Sequence, residues 1–429
     1  MIKALKVTGL FGRFTYSIEC KPDGITIITG PNGFGKSTIL KIIDSLSRVD
    51  IAFFLQLEFK EIVVTYDTHQ TTTILKTVKG IKIDDLEIPL SDEMMEKFEY
   101  AKRGPWIIKT ASGYKDRRTD EVISEDDLFT HFLLSYADMG YMSSKTQKGS
   151  RVSSKSLHSK TKWIQQRCGA VRIISDQRLI KKRHGRSEEQ RVIEVIAELP
   201  QRLKERISLV YNEYSDIANS LDSTYPNRLF AAKDGIADQE EYERCLSDAN
   251  KKFEKLCQYK LVDMSMIDKQ EYNSYYATAL KIYFDDFAQK YTVFEGLITK
   301  LDLFTRIINN RLMFKRIEVS REHGFRIVDI DNPKKVISLA QLSSGEKQEI
   351  VLFYDLIFET TENLLLLIDE PEISLHITWQ KKFLDDLLEV SKHTSIQVIV
   401  ATHSPQIVSN HMDIQIDLGE LYGEQLNNK

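Results

Sequence analysis

Residues 24–38 read GITIITGPNGFGKST, an apolar run, a glycine-rich turn, and then Lys-Ser-Thr opening the stretch STILKIIDSLSRV. The run GITIITG predicts a buried strand, and the apolar spacing of STILKIIDSLSRV predicts a helix. The turn between them fits G-x-x-x-x-G-K-[ST] from Gly30 to Ser37. In that pattern the glycines let backbone N–H groups wrap a phosphate, the lysine reaches the β and γ phosphates, and the hydroxyl ligates Mg²⁺. Gly30, Asn32, Gly33, Gly35, Lys36, Ser37 and Thr38 are therefore expected to hold ATP, with Ser37 on Mg²⁺ and Lys36 also serving the chemistry. The match stands after a strand and opens a helix, the context that this function requires.

Three stretches far down the chain carry matching chemistry. LLLLIDEPE at 364–372 is an apolar strand ending in carboxylates, where Asp369 is expected to hold Mg²⁺ and Glu370 to polarise an attacking water. VIVATHSP at 398–405 ends another apolar strand with His403, an imidazole placed to hydrogen-bond a γ phosphate. LAQLSSGEKQ at 339–348 puts two hydroxyls and a glycine at a helix start, where backbone N–H groups and the helix dipole favour an anion.

Phosphate loop, LSSGE, apolar strand with Asp-Glu and strand-end histidine, in that order, resemble the ABC-type ATPases. The resemblance implies that Ser343, Ser344, Gly345 and Glu346 of one copy clamp the nucleotide held by another, so that the protein works at least as a dimer. More than 300 residues separate the loop from LSSGE, as in the SMC, RecF and OLD-like branch, where an insertion splits the nucleotide fold. That branch places a glutamine at a strand end before its insertion. In VRIISDQRL at 171–179 this makes Gln177 the candidate for Mg²⁺ or the water, with Gln56 a weaker rival. Arg13, after GLFG, stands where basic residues of this branch meet the phosphates. Two departures are His376 in ISLH, where the family's loop normally ends in aspartate, and Ser344 in place of the second signature glycine.

Taken together, LSSGEKQEIVLFYDLIFE, LLLLIDEPEISLHITWQKKFLDDL, ATHSPQIV and LDSTYPNRLF resemble the ATPase subunits of bacterial anti-phage systems of the PARIS type, and their Septu and retron-associated relatives. This implies a sensor and scaffold, assembled as a hexamer of three dimers, that controls a separate effector nuclease. The nuclease would be of Toprim type in a PARIS system and of HNH type in a Septu system, and a phage-derived protein or nucleic acid would be the trigger. No Toprim-length segment follows His403, and the nine histidines are scattered, so no nuclease is expected in this chain. The rival readings are a RecF-like or SMC-like ATPase of DNA repair or chromosome maintenance that clamps duplex DNA, and an assembly that holds ATP and hardly hydrolyses it.

The 429 residues carry a net charge of −4, with 42% hydrophobic and 28% charged residues, ordinary values for a globular chain of two or three domains. The charge is uneven: between 145 and 186 thirteen Lys and Arg face Asp176 alone, a net +12 that leaves about −16 elsewhere. That segment reads as a solvated loop or as a contact for nucleic acid or an acidic protein. Four cysteines without metal-site spacing, no apolar run of membrane length and no signal-peptide core predict a cytoplasmic protein with free thiols and no membrane partner. The expected architecture is α/β, an ABC-type P-loop ATPase head assembled from both chain ends around a mainly helical insertion. Residues 1–185 would form its N-terminal half, 186–324 the insertion and 325–429 its C-terminal half, with GFRIVDI as the first strand of the last segment.

Overall fold

The structure, a computed structural model, describes residues 1–429 except 23, 79, 90, 91, 105, 111, 112, 117–121, 124, 126, 127, 130, 131, 133–154, 175–179, 184–190, 263–266, 362, 374, 395, 428 and 429. From the N-terminus, β1 (Ile2–Leu10), β2 (Phe14–Glu19) and β3 (Ile25–Thr29) lead through the phosphate loop into α1 (Lys36–Arg48). α2 (Ile51–Gln56), β4 (Glu61–Tyr66), β5 (Thr71–Thr77), β6 (Gly80–Ile83), β7 (Leu86–Pro89) and α3 (Asp92–Lys102) follow. Next come β8 (Ile107–Thr110), β9 (Gly113–Asp116), β10 (Val122–Ile123), α4 (Lys155–Cys168), β11 (Ala170–Ile174), β12 (Ile180–Arg183) and β13 (Arg191–Glu194). Three long helices, α5 (Val195–Ala231), α6 (Gln239–Gln258) and α7 (Ala277–Asn309), precede β14 (Lys315–Ser320), β15 (Gly324–Asp329), β16 (Val336–Ile337) and α8 (Ser344–Phe358). The last elements are β17 (Leu364–Asp369), α9 (Ile377–Thr394), β18 (Gln397–Ala401), α10 (Pro405–Val408), β19 (Gln415–Asp417) and α11 (Leu418–Asn427).

The described residues form two compact units. The first comprises the described residues of Met1–Gln177 and Thr360–Lys429. Its central sheet has the order β11-β17-β18-β3-β19, and every pairing in it is parallel. β3 and β18 are buried at every position, as strands covered on both faces must be, which is why ITIIT and QVIVA show no polar–apolar alternation of a half-exposed strand. α1 packs on β11, β17 and β18. The six-stranded sheet β2-β1-β4-β5-β6-β7 is antiparallel and shares one hydrophobic core with α1 and with β3, β17 and β18. This unit draws its parallel strands from both ends of the chain, so the α/β fold class expected above is the one observed.

The second unit comprises Arg178–His184 and Gln190–Glu359. The described residues of the helical insertion expected over 186–324 lie within it, and the unit runs on to take in α8. α5 and α7 pack side by side, joined by Arg228, whose guanidinium donates to both Asp286 oxygens at 2.5 and 2.7 Å. Phe304 of α7 meets Phe325 of β15 and Tyr354 and Phe358 of α8 edge-on, at 5.4 to 6.1 Å between ring centres. Two expectations are corrected here. GFRIVDI is β15, the middle of an antiparallel sheet β14-β15-β16, and takes no part in the parallel sheet. Residues 191–194, read as the start of a helix, pair with β12 as a strand. In both cases a short apolar run fits either period, and the partner strand decides.

One close approach fixes this unit's packing. Gly324 has φ +68°, and a Cβ there would stand 1.8 Å from the carbonyl oxygen of Pro200 in α5. Gly324→Ala should therefore lower unfolding stability by more than about 2 kcal/mol, because both the left-handed backbone and the contact with α5 must give. A urea titration followed by circular dichroism measures it, with Gly296→Ala, where a Cβ meets nothing within 4 Å, as the control.

Candidate functional site

In a parallel sheet all strands end at one edge, and ligands of open α/β sheets bind there. β3 ends at Thr29, just before Gly30, β17 at Asp369, β18 at Ala401, just before Thr402 and His403, and β19 at Asp417. The structure thus brings the loop, the carboxylates and the imidazole to a single edge from positions up to 373 residues apart in sequence, Gly30 to His403. Ser37 Oγ donates to Asp369 Oδ1 at 2.9 Å, so both expected Mg²⁺ ligands already share one point. Lys36 is 6% exposed and donates to the carbonyl oxygens of Gly30 at 2.8 Å and Pro31 at 3.3 Å. Asn32 and Gly33 are exposed, while Thr38 is half-buried in the first turn of α1.

Nothing caps the start of α1 with a side chain, and its first turn holds no acidic residue. Those uncompensated N–H groups suit an anion, and a hydroxyl beside a carboxylate is the hard oxygen set that Mg²⁺ takes. The residues present fit a nucleoside triphosphate with Mg²⁺.

The loop's shape is held from two sides that the sequence reading did not name. Tyr16 of β2 donates its phenolic hydroxyl to the Phe34 carbonyl at 3.0 Å, and the Phe34 ring packs between Phe14 of β2 (5.1 Å) and Tyr422 of α11 (5.9 Å). Asp417 accepts from Thr29 Oγ1 at 3.0 Å and from the Gly419 N–H at 2.7 Å, tying the last strand to β3 and capping α11. Its signal was weak: three residues, QID, make a strand too short to show a period. Gly35 has φ +91°, and a Cβ there would meet Leu10 Cδ2 at 2.9 Å in the β1–β2 hairpin. Arg13 is exposed on that same hairpin.

Asp369 and Glu370 part at a backbone turn. Glu370 adopts φ +46°, unusual for a side chain with a Cβ, and its N–H donates to Ala401 O at 2.9 Å. His403 is half-exposed, with Nδ1 3.6 Å from Glu370 Oε1 and 3.1 Å from Glu372 Oε1. Glu372, buried and unremarked in the sequence reading, also accepts from Thr402 Oγ1 at 2.6 Å and from the His403 and Ser404 N–H groups at 2.9 and 3.2 Å. Gln177 lies outside the described residues, as do 145–154, 175–179 and 184–186 of the basic segment. Gln56 is exposed at the end of α2. His376 accepts at Nδ1 from the Thr378 N–H at 3.3 Å, a helix-capping contact at the start of α9.

In the second unit, Ser343 caps α8 with a reciprocal box: its Oγ accepts the Glu346 N–H at 3.2 Å, and Glu346 Oε2 accepts the Ser343 N–H at 2.9 Å. Ser343 and Ser344 are exposed, Gly345 is half-buried and Glu346 is buried. Lys315 of β14 reaches both Glu346 oxygens at 2.9 and 3.0 Å. Burial alone would raise the Glu346 carboxyl, but Lys315 and the Ser343 N–H outweigh it and hold it below the usual glutamate value. The stability it contributes is present above its unfolded-state value and is lost as the pH falls through the depressed folded one.

A parallel sheet with the phosphate loop at its strand edge, and a helical insertion between that loop and α8 along the chain, make an α/β P-loop ATPase fold of ABC type. The AAA_15 family, an AAA ATPase domain, matches residues 1–408, and the chain belongs to it. Over 132 residues the chain is 33% identical to the oligopeptide transport ATP-binding protein OppD of Lactococcus lactis subsp. cremoris (strain SK11), a stretch covering 28% of this chain and 38% of that protein. OppD of Lactococcus lactis subsp. lactis (strain IL1403) matches to the same extent. The chain therefore spans well under half the length of these relatives. Among solved structures, the Smc head bound to the C-winged helix domain of ScpA aligns over 97% of this chain and 94% of its own, at 13% identity and a TM-score of 0.38. The SMC head domain from Thermotoga maritima aligns over 96% and 92%, at 14% identity and a TM-score of 0.31. Among the described residues no helix is long and apolar enough to cross a membrane.

If the loop is shaped as its contacts indicate, Gly35→Ala should weaken Mg²⁺-ATP binding by at least about tenfold, because the left-handed backbone at this position strains any residue with a Cβ. Titration calorimetry measures it; wild-type affinity in a folded variant would mean that the loop does not carry the nucleotide.

Proposed function

We propose that this protein is a Mg²⁺-dependent ATPase that closes ATP between two copies of itself and serves as sensor and scaffold of an anti-phage system with a separate nuclease effector. The catalytic part rests on one observation above all: Ser37 and Asp369, 332 positions apart, share a hydrogen bond at the strand edge, with Glu370 beside them. In this reading Ser37 and Asp369 hold Mg²⁺ and Gln177 joins them or the water. Lys36 and the loop N–H groups bind the phosphates, helped by Arg13. Glu370 takes a proton from the attacking water, and His403 hydrogen-bonds the γ phosphate. Ser343, Ser344, Gly345 and Glu346 close the site from the second copy, for which their exposed, capped helix start is suited. The defence role rests on the sequence resemblance, and with it the hexamer of three dimers, the phage-derived trigger and the Toprim or HNH effector. The net +12 between 145 and 186 favours a second reading, a DNA-clamping ATPase. Duplex DNA binding that falls steeply with salt would select it, and a co-purifying nuclease would select the first.

Glu370→Gln should keep ATP and Mg²⁺ binding while hydrolysis falls by about a hundredfold or more, since the water loses its base. Phosphate release and nucleotide affinity on one preparation measure both, and hydrolysis at the wild-type rate would end this assignment.

Closure in trans has its own signature. Ser343→Arg and Lys36→Ala should each be inactive alone, yet a mixture should recover part of the activity, because one mixed interface carries an intact site. Absence of recovery at any ratio, with subunit exchange shown by mass measurement, would exclude sandwiching.

A further inference from the structure

Glu372 has no part in the chemistry assigned so far, yet it is 6% exposed and surrounded by donors from the end of β18. The turn begun by Glu370 closes with the Ile373 N–H on the Glu370 carbonyl at 3.2 Å, and Glu372 comes back beneath Thr402, His403 and Ser404. All its contacts fall on one oxygen, Oε1, while Oε2 is buried without a hydrogen-bond partner among the described residues. A buried carboxylate is costly unless a charged or strongly donating group faces it. A hydroxyl and two backbone N–H groups would be served equally well by a glutamine oxygen. The one facing group that makes specific use of an acceptor-only side chain is the imidazole, whose Nδ1 stands 3.1 Å away.

We propose that Glu372 is the positioning residue of His403: its carboxylate takes the Nδ1–H, fixes the ring's plane and leaves Nε2 as the nitrogen presented outward. A free neutral imidazole carries its proton mostly on Nε2, so a carboxylate on Nδ1 selects the rarer form. With Nδ1 occupied, only Nε2 is left to meet a bound anion or water at the strand edge. The same oxygen holds the His403 and Ser404 N–H groups, so ring and backbone are set from a single point. The effect on hydrolysis rests on the ATPase reading above; the effect on the imidazole does not.

The test uses the full chain as wild type, Glu372→Gln, His403→Ala and the double variant. Glutamine preserves the oxygen that accepts from residues 402–404 but offers the ring an amide in place of a charge. In steady-state assays Glu372→Gln should lower kcat by about tenfold to a hundredfold with ATP affinity within about twofold, as loss of an orienting carboxylate does elsewhere. In the His403→Ala background the same change should cost less than about twofold, since coupled residues are not additive. Independently of activity, ¹⁵N-histidine spectra of the nucleotide-free protein on the alkaline side of the ring's titration should show the His403 proton on Nδ1. That signal is assigned by its disappearance in His403→Ala, and its proton should move to Nε2 in Glu372→Gln. An equal loss of kcat in both backgrounds overturns the proposal, as does a His403 ring unchanged by Glu372→Gln. Should Glu372→Gln not fold, the wild-type spectrum decides alone, and a proton on Nε2 overturns it. A wild type that binds but does not hydrolyse ATP would count against the ATPase reading and leave the spectral result to settle Glu372.

Discussion

The parallel register of β17, β18 and β3 is the constraint on which the rest of this protein depends. Leu365 to Asp369 pair in step with Gln397 to Ala401, and Val398 to Ala401 with Ile25 to Ile28. Because the strands run the same way, their C-terminal ends all emerge at one edge, carrying the phosphate loop, the Asp369–Glu370 step and the Thr402–His403 step. A parallel strand needs a crossover between neighbours, and the crossovers here are α9 between β17 and β18, and most of the chain between β3 and its partners. A long insertion can sit inside such a crossover because loop-closure cost grows slowly with length. The pairing itself cannot shift, since a one-residue slip would turn Asp369 away from Ser37.

The helix bearing LSSGE faces a different electrostatic problem. An anion is attracted to a helix N-terminus, but Glu346 sits in the first turn of α8, where its negative charge would repel one. Lys315 removes the conflict by holding both carboxylate oxygens, so the helix start keeps the capping box without a net negative charge. Farther along α8, Glu349 is matched by Arg311, whose Nε stands 3.0 Å from Oε2 with both side chains almost wholly buried, and the guanidinium also lies 4.7 Å over the Phe353 ring. Both cations lie between α7 and β14 or on β14 itself, so the segment leading out of the long helix is fastened to α8 by charge as well as by the aromatic contacts around Phe304. A buried pair of this kind adds little net stability, yet losing one partner is costly. It therefore works chiefly to hold α8 in one register.

The residues that meet at the strand edge were legible in the sequence because the chemistry expected of them tolerates few residue types. Gly35, Lys36 and Ser37 after an apolar strand admit one reading, and so does LLLLI followed by Asp369 and Glu370. The parts that escaped are those whose role arises only when distant segments meet. Asp417 and Tyr422 act on the loop through β19 and α11, elements with no period to read. Lys315 looks like one surface lysine among many until β14 lies beside α8. GFRIVDI alternates well enough to be a strand of any sheet, and its partners β14 and β16, not its own residues, make it antiparallel.

Glu372 marks the same boundary at the scale of one side chain. In DEPE, the roles expected of two of the three acids follow from their order along the strand, whereas the place of the third depends on the turn that Glu370 makes. The left-handed φ of Glu370 costs about 1–3 kcal/mol for a residue of its kind, and the surrounding structure must hold it there. It is held by the Glu370 N–H on Ala401, by buried Pro371 with its fixed φ, and by Glu372 gathered under the end of β18. One strained residue thereby separates three carboxylates a few positions apart: Asp369 toward Ser37, Glu370 half-open at the edge, and Glu372 turned inward to the imidazole. Relaxing that turn would bring like charges together and release the histidine, so strain, charge separation and imidazole geometry form a single arrangement.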